Sequence, residues 1–446
     1  MKASRRFDEA KLDYTELQPR DYSRYYLLSN PFPAIPVAEE EPRVFVDREN
    51  EVKSVANITK EAFLTNKSQT LIIQGVYGNG KSHLLKYVKS RINSQLAKNP
   101  KKRGIAAYVQ SPGSSIKDFY AEMVRDLGID LMTDLACRII VSTIGVSSLA
   151  DYIYHEDEKP RFKQYSDRIE GDPVVLNQMF SRGGYRVRDI RSDVMQKVGS
   201  KIPFPDVLSV VLSLTESEIS GIAWRWLLGE FLPRDDKSSI GVTQEIEESD
   251  DVLRAFSSLK SLLGMHGLTM IYVLLDEFEK VSELHALRRS RYYDDLRHLI
   301  DQNTEGLCLI ACVSPAGWDE LRSAGHPLAR RLMGNVEELT PFDARKSERL
   351  VEAYLELGRE EFAVAKRIPS LTKLYEEVGA KYESPKLFPF TKKSLEAILK
   401  LSHGNVSEIL RLCKRLIDEG CDRKIPVIDD IEMVNKLLGV SSDSSA

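Results

Sequence analysis

Gly75-Val76-Tyr77-Gly78-Asn79-Gly80-Lys81-Ser82 is the stretch whose reading decides the fold. It fits G-x-x-x-x-G-K-[ST] without a mismatch. On its amino side stands the β-branched run Thr70-Leu71-Ile72-Ile73-Gln74. On its carboxyl side Leu85, Val88, Ile92 and Leu96 recur at helical spacing. Strand, glycine-rich turn and helix in that order make a phosphate cradle. Glycines let the backbone wrap an anion with its N–H groups turned inward, in torsions a side chain forbids. The following helix aims free N–H groups and the positive end of its dipole at the same point. Lys81 supplies a point charge for β- and γ-phosphates, and the Ser82 hydroxyl is a magnesium ligand.

Outward from this loop, further short apolar runs follow at Gly104–Val109 (residues 104–109), 270–275, 307–313 and 336–339, alternating with helical patterns. Apolar strands separated by helices predict a mostly parallel sheet covered on both faces. A helix is expected to start near Ser115 and to include Phe119, Met123 and Leu127. The third run ends in Asp276-Glu277. A carboxylate at the end of a buried strand beside such a loop can hold magnesium through water, the role expected of Asp276. Its neighbour Glu277 can orient and deprotonate an attacking water. Glu279 continues the acidic run and is expected to face solvent. Ser314 follows the fourth run directly, at the strand end that lines the ligand crevice in a parallel sheet. A small polar side chain there can bond the γ-phosphate or the attacking water.

Bulk properties bound the alternatives. The 446 residues suffice for two or three domains; 42% are hydrophobic and 29% charged, an ordinary globular composition. A net charge of −4 gives no whole-protein signal for nucleic acid, so a basic surface must be local. Five scattered cysteines, Cys308 and Cys312 among them in an apolar run, read as buried thiols rather than disulfides or metal ligands. No apolar stretch follows the first charged residues, and no run is long enough to span a bilayer, so a cytoplasmic protein without membrane contact is expected.

With the loop, the Asp-Glu strand end and Ser314 in place, the chain resembles an AAA+ ATPase of the origin-recognition/initiator and STAND-like branch over most of residues 44–440. Val44-Phe45-Val46-Asp47-Arg48-Glu49-Asn50-Glu51 is similar to the Phe-x-x-Arg-x-x-Glu segment of that branch, which places Arg48 near the adenine. Tyr77 and His83, in the context Tyr77-Gly78-Asn79-Gly80-Lys81-Ser82-His83-Leu84-Leu85, are similar to ATP-binding proteins of prokaryotic defence systems, including bacteriophage exclusion (BREX). Trp226-Leu227-Leu228-Gly229-Glu230, Gly241-Val242 and Leu274-Leu275-Asp276-Glu277 fit that subgroup too.

The resemblance implies an α/β fold: an AAA+ P-loop core with a five-stranded parallel sheet, a large mainly helical insertion and a C-terminal α-helical lid. The expected division is an N-terminal arm (1–43), a first core part with the P-loop (44–130), the insertion (131–250), a second core part (251–342), the lid (343–440) and a frayed tail (441–446). The resemblance also implies Mg·ATP as ligand, ATP hydrolysis, and an arginine finger before the fifth strand, where Arg330 and Arg331 stand. A guanidinium there can neutralise charge on a phosphoryl group held by a neighbouring subunit, which implies a homo-oligomer or partner ATPase subunits. In the lid, Gly404-Asn405-Val406-Ser407 takes the place of the initiators' Gly-Asp-x-Arg. Ser407 replaces the expected sensor arginine, and Arg411 lies one turn later.

Initiators carry a winged-helix DNA-binding domain after the lid, for which residues 422–446 are too few. Nucleic-acid contact would therefore fall to two basic segments, one with Arg182, Arg186, Arg188 and Arg191 around Tyr185, the other with Arg288, Arg289 and Arg291. Two outputs stay open. One is a switch or motor assembled on DNA or RNA in defence or replication; the other is a STAND-type signalling scaffold acting on a protein partner.

Overall fold

A computed structural model describes residues 20–34, 42–46, 48–96, 103–154, 159–323, 325–382, 384–429 and 431–438. The expected tail at 441–446 and much of the expected N-terminal arm lie outside these residues. The chain divides into two compact units, a larger one carried by Arg48–Thr340 and a smaller one that includes Pro341–Ala446 together with residues from the amino-terminal end.

The larger unit opens with α1 (Glu49–Thr65), β1 (Gln69–Gln74), α2 (Lys81–Gln95), β2 (Arg103–Val109) and α3 (Ile116–Leu127). Seven helices follow: α4 (Ile129–Ile144), α5 (Lys159–Gly171), α6 (Val175–Phe180), α7 (Val187–Val198), α8 (Pro205–Ser213), α9 (Ser220–Leu227) and α10 (Arg234–Ile240). The rhythm then resumes with α11 (Ser249–Met265), β3 (Leu268–Leu275), α12 (Ala286–Gln302), β4 (Leu307–Val313), α13 (Pro315–Ser323), α14 (Pro327–Leu332) and β5 (Val336–Glu338).

All five strands pair in parallel, in the order β2-β3-β4-β1-β5. Every residue of β4 is buried, and β3 is buried except for Thr269. That is why these strands read as unbroken apolar runs rather than alternating ones. The register brings their carboxyl ends level. Gln74 lies opposite Val313, Leu275 opposite Ala311, and Val109 opposite Leu275. The turns that leave β1, β3 and β4 therefore emerge along one edge of the sheet, which is what positions the site. The five-stranded α/β core expected from the sequence is the fold observed.

The helices between α3 and α11 do not form a core of their own. Trp226, Phe204, Val207, Leu208 and Ile140 belong to the same buried cluster as Val273, Leu275 and Val313 of the sheet. Trp226 is fully buried, and its indole N–H donates to Gln244 O at 3.0 Å. The cysteines are all buried and unpaired, as read from the sequence; burial pushes the Cys308 thiol up to about 12. Among the described residues no helix is long and apolar enough to cross a membrane.

The smaller unit is helical: α15 (Ala344–Ala365), α16 (Leu371–Gly379), α17 (Lys392–Ser402), α18 (Val406–Asp422) and α19 (Ile431–Leu438). Asp343, Thr391 and Asn405 cap the starts of α15, α17 and α18 by accepting backbone N–H bonds. Gly404 has φ +73°, and a Cβ there would lie 2.4 Å from Phe342 O, so the expected glycine step has a steric cause.

Residues 20–34 correct the expectation of a separate arm. Tyr25, Leu27 and Phe32 are buried in the core of the smaller unit. The Tyr25 hydroxyl donates to Ile425 O at 2.6 Å. Tyr22 and Asn30 both donate to Asp418 Oδ1 at 2.8 Å. Two helical glycines make room: a Cβ on Gly420 would lie 2.5 Å from the Tyr25 hydroxyl, and one on Gly358 2.9 Å from Leu27. Burial works to raise the Asp418 carboxyl, but hydrogen bonds from Lys414, Asn30 and Tyr22 outweigh it and hold the group below its usual range.

Arg359 of α15 is fully buried. Its guanidinium donates to Pro385 O at 3.0 Å and Lys386 O at 2.8 Å, and also to Phe388 O. Its charge lies 5.6 Å from the centroid of the Tyr375 ring. Arg359→Met is expected to destabilise the smaller unit by about 2–3 kcal/mol, because three carbonyls, that of Phe388 buried, lose a charged donor. Hydrogen exchange of the α15 amides checks this; unchanged protection would show that those carbonyls find other donors.

Candidate nucleotide site

The loop after β1 is pinned where it leaves the strand. Gly75 N–H donates to Val313 O at 3.1 Å, and Leu339 N–H donates to Gln74 O at 2.7 Å. Gly78 and Gly80 take φ of 84° and 87°, the left-handed torsions that the sequence pattern requires. Lys81 opens α2 and is buried, with its ammonium donating to Gly75 O at 2.8 Å and Val76 O at 3.3 Å. A buried cation whose hydrogen-bond partners are neutral carbonyls, at the start of a helix, suits an anionic ligand.

Arg48 and Asn79 act inside the wall of this loop. Arg48 is 5% exposed and donates to Asn79 O at 2.9 Å, Thr340 O at 2.9 Å and Glu51 Oε1 at 2.8 Å. Burial lowers its pKa, and the Glu51 hydrogen bond opposes that. The Asn79 amide donates to Leu339 O at 3.0 Å. These bonds tie the loop to α1 and to the segment after β5, so Arg48 braces the phosphate loop. Tyr77 stands 87% exposed at the loop tip, and His83 is half-buried on α2.

Asp276 and Glu277 sit at the level end of β3. Asp276 is 2% exposed; its N–H donates to Val109 O at 2.8 Å, and its Oδ1 accepts the Glu277 N–H at 2.9 Å. Oδ2 accepts the Tyr108 hydroxyl at 2.9 Å. Glu277 has φ +50°, a left-handed position uncommon for a non-glycine residue, and its carboxylate pairs with Lys280. The Glu277 hydrogen bond raises the Lys280 pKa.

Ser314 starts the turn after β4. Its N–H donates to Glu279 Oε2 at 3.2 Å, and its Oγ accepts the Gly317 N–H at 3.2 Å. Glu279 is thus half-buried and turned inward, against the expectation that it faces solvent. Gly317 permits this, because a Cβ there would lie 2.7 Å from Glu279 Cβ.

Ser82 and Asp276 offer oxygen only. With phosphate oxygens and water they form the donor set that suits magnesium. Among the described residues no cluster of three or more His, Cys, Asp or Glu side chains gathers.

Three expected arginines have the following surroundings. Arg331 on α14 pairs with Asp301 at 2.6 Å, which raises its pKa, while its neighbour Arg330 is exposed. Arg411 belongs to the smaller unit, where both of its guanidinium bonds go to Glu408 Oε2, at 3.0 and 2.6 Å.

The two basic segments are less open than the sequence suggests. Arg182, Arg186 and Arg188 are exposed, but Tyr185 is buried against Phe180, ring centroids 5.4 Å apart. Arg191 is buried, 3.5 Å from Glu216 and bonded to Ser213. In the second segment Arg289 pairs with Glu320 at 2.7 Å and Arg291 with Glu248 at 2.8 Å, and Tyr292 and Tyr293 are buried.

Sequence reasoning missed Tyr108, Lys280 and the inward turn of Glu279. Tyr108 carried a usable signal: it is the penultimate residue of the second apolar run, and parallel register sets it beside Leu274, two residues before Asp276.

Solved structures with similar folds include the Aeropyrum pernix ORC2 protein in ADPNP–ADP complexes, at 12% identity and TM-score 0.45, covering 92% of this chain and 71% of that one. Drosophila ORC bound to DNA is similar at 10% identity and TM-score 0.41, covering 98% and 71%. The Walker-type ATPase PABY2304 of Pyrococcus abyssi follows at 12% and 0.37, covering 91% and 75%. No curated protein matches the chain. A family model does match, over a span that takes in Asp276, Glu277, Ser314 and the lid glycine step and begins after the phosphate loop: residues 192–407 match the model of the family described as BREX system ATP-binding protein BrxC/D.

Proposed function

We propose that this chain binds Mg·ATP at 75–82 and hydrolyses it, as an AAA+ switch or motor that assembles with nucleic acid or protein partners in genome defence or replication. The observation that carries the reading is the level register of β1, β3 and β4, which places Lys81, Asp276–Glu277 and Ser314 along one sheet edge. Lys81 and the loop N–H groups hold the phosphates. Ser82 and Asp276 hold the metal, which supplies charge neutralisation for the transferring phosphoryl group. Glu277 takes the proton of the attacking water, and Ser314, fixed by Glu279 and Gly317, orients the water or the γ-phosphate. Arg330, exposed where Arg331 is engaged by Asp301, is the finger offered to a neighbouring subunit.

The burial of Tyr185 and Arg191 favours a second reading, a STAND-type scaffold whose partner is a protein. One assay separates the two. Phosphate release from ATP is measured with magnesium, with and without DNA or RNA, at low and at physiological salt. Turnover above background is expected, and its absence under every condition overturns the hydrolysis reading. Stimulation by nucleic acid that is lost in Arg186→Glu/Arg188→Glu supports the first output, since reversed charges repel phosphates. No response to nucleic acid at any salt supports the second.

A further inference from the structure

The proposed chemistry makes no use of Tyr108, although it stands at the site. Its ring is buried at the carboxyl end of β2, with the Lys86 ammonium 5.3 Å from the ring centroid. Its hydroxyl donates to Asp276 Oδ2 at 2.9 Å. The other Asp276 oxygen is engaged by the Glu277 N–H at 2.9 Å, so both carboxylate oxygens have a fixed donor.

We infer that Tyr108 is a positioning residue for the divalent metal, its hydroxyl holding Oδ2 of Asp276 in place before nucleotide arrives. The inference rests on the assignment of Ser82 and Asp276 to the metal. A carboxylate free to turn about its χ angles must be ordered when the ion binds; one already held by a phenol and a backbone N–H is not. Outer partners of this kind are worth about 10–100-fold in metal affinity.

Tyr108→Phe removes one oxygen and keeps the ring, its burial and its contact with Lys86. The test uses the full chain with a slowly hydrolysed ATP analogue and Mn²⁺ as the metal, followed by electron paramagnetic resonance of unbound Mn²⁺. Nucleotide binding and thermal unfolding are measured in parallel in excess chelator. The expected result is a fall in Mn²⁺ affinity of about 10-fold or more, with metal-free nucleotide binding and unfolding unchanged. Equal Mn²⁺ affinity in the wild-type and Phe chains overturns the inference and leaves the site assignment standing. So does a fall in unfolding temperature without a change in Mn²⁺ affinity, which assigns Tyr108 to packing alone. A wild-type chain that takes no Mn²⁺ with the nucleotide overturns the assignment of Ser82 and Asp276 underneath it.

Discussion

Glu277→Gln is expected to cut ATP turnover by about 10²–10⁴-fold, the usual contribution of a positioned general base, while ATP still binds. The amide keeps the shape of the carboxylate but cannot accept the proton of the attacking water. Binding survives because the phosphate contacts belong to another element, the loop at 75–82 with buried Lys81. The substitution also ends the pair with Lys280, but that ammonium is 47% exposed and returns to water at little cost. Phosphate release and the binding of a fluorescent ATP analogue, measured on the same preparation, check both halves. Full turnover in Glu277→Gln removes this residue from the role of base.

Lys81→Ala is expected to fail earlier, at binding. A charge-assisted bond to phosphate is worth about 1.5–3 kcal/mol, so ATP affinity falls by about 10–150-fold and turnover falls with it. The same loss appears without catalysis: ATP at about 100 times its Kd stabilises the wild-type fold by about 2.7 kcal/mol, and the variant at that concentration keeps about 0.3–1.4 kcal/mol of this. Lys81 also bonds Gly75 O and Val76 O, so unfolding in the absence of ATP is measured alongside. If ATP raises the melting temperature of Lys81→Ala as much as that of the wild-type chain, nucleotide binds elsewhere. The two variants thus split the site: one binds without turnover, the other does neither.

Much of the core was legible because its determinants are local. A strand buried on both faces leaves a continuous apolar run, and Leu307–Val313 was read to the residue. The start of α3 near Ser115 and the glycine pattern of the phosphate loop are likewise properties of a few neighbouring residues. What stayed hidden depends on residues far apart in the chain. Nothing near Glu279 in sequence says that it will accept the Ser314 N–H, or that Gly317 leaves it the space. Tyr185 and Arg191 looked like a ready nucleic-acid contact because their partners, Phe180 and Glu216, are supplied by the folding of the helices around them. The bracing bonds of Arg48 to Asn79 O and Thr340 O are of the same kind, since those carbonyls come from two separate turns.

The seating of residues 20–34 on α18 sets a clock for synthesis. Tyr22, Tyr25 and Asn30 bond residues 384 to 400 positions later in the chain. At about 5–20 residues per second a ribosome needs roughly 20–80 s to deliver those partners. For that interval Tyr25, Leu27 and Phe32 have emerged while the groove that buries them does not yet exist. The larger unit can close behind its own strands as they appear, but the smaller one waits for the last helices. A chaperone that shields a short aromatic segment would find its substrate once residues 20–34 emerge and release it only after α18 has followed.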